Sequence, residues 1–124
     1  MNNQEVTMRD AQATNQLQAH DKAIEAAGIS ISLVSRVPTQ LRSLADQVVR
    51  SASSVPANLS EGHGRSGRDR AHHYRIAHGS AKEVDTHLRL LLHARAINPN
   101  RTERALQLFD DVRAMTWRLL HPYR

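Results

Sequence analysis

The sequence predicts an all-α protein, an up-and-down antiparallel four-helix bundle. Three observations point there. Apolar residues recur at intervals of three and four over four separate stretches, no stretch alternates with period two as a strand does, and prolines and glycines fall between the stretches. Helices joined by short connections can each bury one face only against one another. At 124 residues the chain is expected to form one domain, over residues 10–121, after a polar, unpatterned tail at 1–9.

The first helix is expected over residues 10–35. Leu17, Ile24 and Ile31 lie seven apart, with Ala27 and Val34 on the same side, and Gly28 interrupts the run. The second helix is expected to start near Pro38 or Thr39, because proline is tolerated in a first turn. Its stripe is Leu41, Leu44, Val48, Ala52, Val55 and Leu59. Pro56 removes a hydrogen bond within that stripe. Because the stripe runs on through Leu59, the helix is expected to bend and continue to Glu61, eased by Ser51, Ser53 and Ser54 bonding to backbone carbonyls. Asn58 is placed to take up the carbonyl that the proline releases.

Three glycines in Gly62-His63-Gly64-Arg65-Ser66-Gly67 spell a turn, with Ser66 as a candidate N-cap and Asp69 in the first turn that follows. The third helix is expected from about Ser66 to Ala96, on Tyr74, Ala77, Ala81, Val84, Leu88 and Leu91. Asn98-Pro99-Asn100 breaks it. The fourth begins near Arg101 and carries Ala105, Leu108, Val112, Met115 and Leu119 until Pro122. Extra apolar width on the third and fourth helices hints at a second buried surface, between subunits.

There is no cysteine, so disulfides and thiolate chemistry are excluded. No stretch approaches the roughly 18 apolar residues of a membrane span, and the N-terminal residues lack a signal-peptide pattern. A cytoplasmic protein without a membrane partner is expected. The net charge is +5 and unevenly spread. Residues 1–35 hold two basic and four acidic groups. Residues 36–75 hold seven arginines, Arg36, Arg42, Arg50, Arg65, Arg68, Arg70 and Arg75, against Asp46, Glu61 and Asp69. A central basic region suits contact with phosphate or nucleic acid, and equally a solvated surface. Arg42, Arg50, Arg65, Arg68, Arg70 and Arg75 are the candidate contacts.

Catalytic chemistry finds no frame. Eight histidines are present, but no His-Glu-x-x-His or Glu-x-x-His occurs. Glu83 and His87 form a ligand-capable i, i+4 pair, yet without partners of the kind a di-iron bundle uses. His78, Ser80 and Asp85 lack the strand–turn–helix elbow that exposes a nucleophilic serine. The glycine-rich turn lacks Gly-Lys-Ser/Thr and has no preceding strand, so it is at most a basic turn that touches phosphate. No enzyme activity, metal or cofactor is expected. Glu61 is expected to pair with Arg65 or Arg68, and Gln47 and Arg50 to make polar contacts beside the core.

Two runs carry a family resemblance. Leu44-Ala45-Asp46-Gln47, followed by Arg50-Ser51-Ala52-Ser53-Ser54-Val55-Pro56-Ala57-Asn58-Leu59-Ser60-Glu61-Gly62, resembles the second helix of the 23S rRNA intervening-sequence proteins. Tyr74-Arg75-Ile76-Ala77-His78-Gly79-Ser80-Ala81-Lys82-Glu83 is similar to their third-helix signature. The resemblance spans about residues 17–121 and is most specific over 41–91. It implies a four-helix bundle without established enzyme activity, assembled as a ring-like homo-oligomer, a pentamer, that combines basic surfaces. It also implies RNA or DNA as a partner. Through a related branch, the accessory proteins of diversity-generating retroelements, it implies a reverse transcriptase. The pattern residues are Gln47, Arg50, Ser54, Pro56, Asn58, Glu61, Gly62, Gly79, Ser80 and Glu83, read as determinants of fold and assembly. The chain departs from the family at His72-His73, where aromatics are more usual.

Overall fold

The computed structural model describes the backbone of residues 3–122 and the side chains of residues 10–122. Four helices follow one another: α1 (Asn3–Val34), α2 (Arg42–His63), α3 (Gly67–His93) and α4 (Pro99–Leu120). Each packs against its neighbours in sequence, and α4 closes the ring against α1. The α1–α4 pairs show the antiparallel register. Lys22 Nζ reaches Asp111 Oδ2 at 2.8 Å, Arg104 reaches Glu25 at 2.7 Å, and Arg101 donates to Ser32 Oγ at 3.1 Å. As the number rises on α1 it falls on α4. No helix among the described residues is long and apolar enough to cross a membrane.

The helix α1 differs from expectation in two ways. It starts at Asn3, so residues 3–9 of the expected tail are helical, while residues 1 and 2 lie outside the described residues. It also turns a different face inward. Ala19, Ala23, Ala26, Ala27, Ser30, Leu33 and Val34 are buried, whereas Leu17, Ile24 and Ile31 are 64%, 54% and 41% exposed. The two rows lie roughly 120° apart round the helix, at 100° per residue. Alanine on the inner row lets the backbone of α1 approach α2 and α4 closely, and the larger aliphatics are left outside. Ala27 and Val34, expected beside the aliphatic row, belong to the core.

A single 3-10 turn, Thr39–Leu41, follows Pro38 and leads into α2. Pro56 sits inside α2 without ending it, and the helix continues to His63. Ser51 Oγ donates to the Gln47 carbonyl at 2.7 Å and Ser53 Oγ to the Arg50 carbonyl at 3.1 Å. Asn58 Nδ2 donates to the Ser54 carbonyl at 2.9 Å, not to the Ala52 carbonyl that Pro56 leaves without an N–H. Helix α4 starts at Pro99 rather than Arg101. Pro99 takes the first turn and the Asn98 side chain caps the Arg101 N–H at 2.9 Å.

Helix α3 ends at His93, before the expected Ala96. Arg95 has φ of 58°, the Ala96 N–H bonds the Leu91 carbonyl at 3.0 Å, and the Arg95 N–H bonds the Leu92 carbonyl at 3.0 Å. This is a Schellman end built on arginine instead of glycine. A left-handed conformation costs an L-residue about 1–2 kcal/mol. Arg95→Gly is therefore expected to raise the free energy of unfolding by about 1 kcal/mol, read from the midpoint of a urea titration.

The core is aliphatic, with Tyr74 and Phe109 as its large aromatics. Burying one leucine or valine contributes about 1.5–3 kcal/mol, so the stripes of α2, α3 and α4 hold most of the stability. The buried serine and threonine hydroxyls are satisfied locally, by carbonyls of the preceding turn. Ser30, Thr102 and Thr116 donate to carbonyls four residues back at 2.7, 2.7 and 2.6 Å.

Candidate nucleic-acid interface

The turn between α2 and α3 is fastened from both sides. Gly62 lies against the Tyr74 ring, and a Cβ at Gly62 would stand 2.5 Å from Tyr74 Cε1. Arg70, from the first turn of α3, donates through Nε to the Gly62 carbonyl at 3.0 Å and through Nη2 to the His63 carbonyl at 3.3 Å. It thereby adds a second donor to the Gly62 carbonyl, which also accepts the Arg65 N–H at 3.2 Å, and satisfies the His63 carbonyl at the end of α2. Arg65 bridges Glu61 at 3.3 Å and Asp69 at 3.2 Å, as expected for Glu61. Ser66 stands at the N-cap position but makes no capping hydrogen bond. Gly67 has φ of 59°, which glycine adopts without strain.

These contacts divide the six candidate arginines. Arg70 is half-buried and secures the turn; Arg65 is neutralised by two carboxylates. Arg42 stands at the other end of α2, about 30 Å from the turn at 1.5 Å per residue. Arg50 is exposed on α2 between them. Arg68 and Arg75 are exposed on α3, and neither makes an ion pair with a described residue. The six do not form one patch.

A different grouping emerges on α3. Arg68, Arg75, Lys82 and Arg89 are seven residues apart, all exposed, and so fall on one face of the helix. His72, Gly79, Thr86 and His93, also exposed, lie between them and at the end of the row. At 1.5 Å per residue, the cations stand about 10.5 Å apart on a ridge of about 30 Å. Arg89 is held by Asp85 at 2.7 Å, and Asp85 lies 3.9 Å from Arg113 of α4. Arg68, Arg75 and Lys82 are free of ion pairs among the described residues. Lys82 and Arg89 were missed when charge was counted by segment.

Four of the ten pattern residues, Ser54, Asn58, Gly62 and Ser80, make contacts across the α2–α3 seam. Ser54 Oγ and Ser80 Oγ are 2.9 Å apart. Asn58 Nδ2 also donates to Ser54 Oγ at 3.1 Å, and its Oδ1 accepts from His73 Nδ1 at 2.9 Å. Glu83 and His87 approach at 3.5 Å. Gln47 accepts the Ser51 hydroxyl through its carbonyl, and Gly79 is exposed with nothing near its Cβ position. Ser80 therefore meets Ser54, while Asp85 is engaged by Arg89, and the two are not joined into a relay with His78. Among the described residues no three His, Asp or Glu side chains are grouped to hold a metal ion.

At the α2–α3 end, His63 packs edge-on to Tyr74 with ring centroids 5.8 Å apart, and His20 of α1 lies 6.2 Å from His63. Gln16 donates to the Tyr74 hydroxyl at 3.1 Å. Burial first, then His20 and Arg70, push the His63 imidazole below its ordinary pKa of 6.5. Burial, then Lys82 and Arg113, do the same to His78. A lowered histidine pKa means that the unfolded chain binds the proton more tightly. The contribution is full above pH 6.5 and is lost as pH falls from there through the folded-state values. The thermal midpoint is expected to drop between pH 7.5 and 5.5, with a smaller drop in His63→Gln.

Comparison with known proteins agrees with this architecture. The fold matches the crystal structure of a protein of unknown function from the S23 ribosomal protein family of Bacteroides thetaiotaomicron VPI-5482. The TM-score is 0.77 at 21% identity, over 86% of this chain and 98% of that one. At this identity the likeness is one of fold. No curated protein matches the chain. The sequence model of the 23S rRNA-intervening sequence protein family matches residues 15–118. With that match covering most of its length, the chain belongs to the 23S rRNA-intervening sequence protein family.

Proposed function

We propose that this protein is a non-enzymatic, self-associating helical bundle that binds nucleic acid through the outer face of α3. The observation that carries the reading is the row Arg68, Arg75 and Lys82, exposed, evenly spaced and free of carboxylate partners among the described residues. Such a row faces phosphates without base-edge readout, so it supports affinity and salt sensitivity rather than sequence preference. Arg65 and Arg70, engaged in the turn, contribute little to binding, and Arg42 lies too far away to share the same stretch of backbone. The cytoplasm, where RNA and DNA are accessible, is the compartment this reading requires.

Self-association rests on a second surface. Leu17, Ile24 and Ile31 form an exposed aliphatic row with the seven-residue spacing that packs helix against helix. A second copy of the chain is the occupant in this reading, and the pentamer implied by the family resemblance sets the copy number. Light scattering is expected to give five times the mass of the 13.9 kDa chain, and Ile24→Lys to shift the protein toward monomer. The same row gives a second reading its footing: an accessory subunit that docks a protein, such as a reverse transcriptase, without touching nucleic acid.

Capture from native lysate, with and without nuclease, separates the two. Recovery of RNA or DNA that falls when Arg68, Arg75 and Lys82 are replaced by Gln supports the first. A protein partner that survives nuclease treatment, with no nucleic acid recovered, supports the second and overturns the first.

A further inference from the structure

Trp117 is the one tryptophan of the chain, and it is 44% exposed. The other described large aromatics, Tyr74 and Phe109, are fully enclosed in the core. Trp117 is nevertheless held in place. His121 stacks on its indole with ring centroids 4.1 Å apart and planes 24° apart. His121 Nδ1 donates to the Trp117 carbonyl at 2.8 Å, which fixes the imidazole over the indole. The pair is thus an ordered aromatic stack at the solvent side of α4.

Helix register places this stack beside the cation row. Arg113 of α4 lies 3.9 Å from Asp85 of α3, and the field of Arg113 also reaches His78. The two helices are antiparallel neighbours. One turn onward from Arg113 is Trp117, and one turn back from Asp85 is Ala81. Trp117 therefore comes level with the stretch of α3 between His78 and Lys82, on the side of α3 that faces α4. Lys82 on α3 and Arg118, the next residue of α4, are both exposed.

We propose that the Trp117–His121 stack is a base-stacking platform beside Arg75 and Lys82, and that the nucleic acid this surface takes is single-stranded. The proposal rests on the reading of the α3 row as a phosphate-binding ridge. A duplex offers that ridge only its backbone, because its bases are already stacked on one another. An unpaired strand lays phosphates along the cations and turns a base onto the indole, the combination by which sequence-tolerant single-strand binders work. The preset His121 stack means that little ordering is needed when the base arrives.

The test uses the full chain with a fluorescently labelled 15-nucleotide single strand and a duplex of the same sequence, at low salt. Binding is read by anisotropy of the label, and Trp117 by its own emission. The single strand is expected to bind more tightly than the duplex and to quench the tryptophan. Trp117→Ala is expected to weaken single-strand binding by about 5- to 150-fold, the effect of one stacked base, with Trp117→Phe recovering most of it and duplex binding unchanged. Unquenched emission on a bound strand, or a duplex bound as tightly as the single strand, overturns the platform while leaving the basic ridge standing. Absence of binding by either oligonucleotide overturns the ridge as well. Quenching in the native chain keeps the test decisive if Trp117→Ala fails to fold.

Discussion

Gly62→Ala is expected to lower the free energy of unfolding by about 1–3 kcal/mol, although alanine is the better helix former by about 1 kcal/mol. The sign follows from the far side of the contact. The new methyl would stand 2.5 Å from Tyr74 Cε1 and 2.7 Å from Cδ1. The ring has little freedom to retreat. It is 1% exposed, its hydroxyl accepts from Gln16, and its flank is covered by His63. The clash must therefore move backbone at the turn that Arg70 fastens. Tyr74→Leu removes the obstructing ring and carries its own loss. In that background Gly62→Ala is expected to become neutral or favourable, a coupling that a double-mutant cycle measures. Urea unfolding of the four proteins decides it, and a Gly62→Ala chain more stable than the parent would contradict the packing described.

Replacing Arg68, Arg75 and Lys82 together with Gln is expected to weaken nucleic-acid binding on the order of 100-fold at 0.1 M salt, taking three phosphate contacts at a slope of about −0.7 each. The slope of log K against log salt is expected to flatten by about two over the same change. Stability should barely move, because all three side chains are exposed and none is in an ion pair with a described residue. For the single change Lys82→Gln, Arg42→Gln is the matched control: it removes the same one charge at the far end of α2 and should leave binding almost intact. Equal effects of Arg42→Gln and Lys82→Gln would mean that net charge, and not the α3 row, governs the interaction.

The inward faces are legible where the stripe obeys one rule, that large aliphatics at three and four spacing face a neighbour. Helices α2, α3 and α4 obey it. Helix α1 does not, because its position between α2 and α4 favours small side chains at close approach. Ala19, Ala23 and Ala26 are buried there, and a reading weighted by hydrophobicity prefers Leu17, Ile24 and Ile31. The end of α3 was hidden for another reason: a left-handed residue is announced by glycine, and here it is Arg95.

The candidate site was half visible. Summing charge over residues 36–75 gathers Arg65 and Arg70, which the turn consumes, and cuts the α3 row after Arg75. The signal for Lys82 and Arg89 was present as a seven-residue repeat, but only a sum over helix faces brings it out. The Ser54–Ser80 contact joins residues of two helices, and no spacing within either helix predicts it. The stripes and short connections supplied the order of the helices; the assignment of Arg70 to the turn needed the side chains.

The central claim is that the outer face of α3 binds nucleic acid through its phosphates. Anisotropy of a labelled RNA or DNA strand with the purified native chain, from low to high salt, tests it most directly. The account predicts binding at low salt with log K falling linearly against log salt, at a slope of about −2 or steeper. No binding at the lowest salt, or an affinity that salt leaves unchanged, would contradict it.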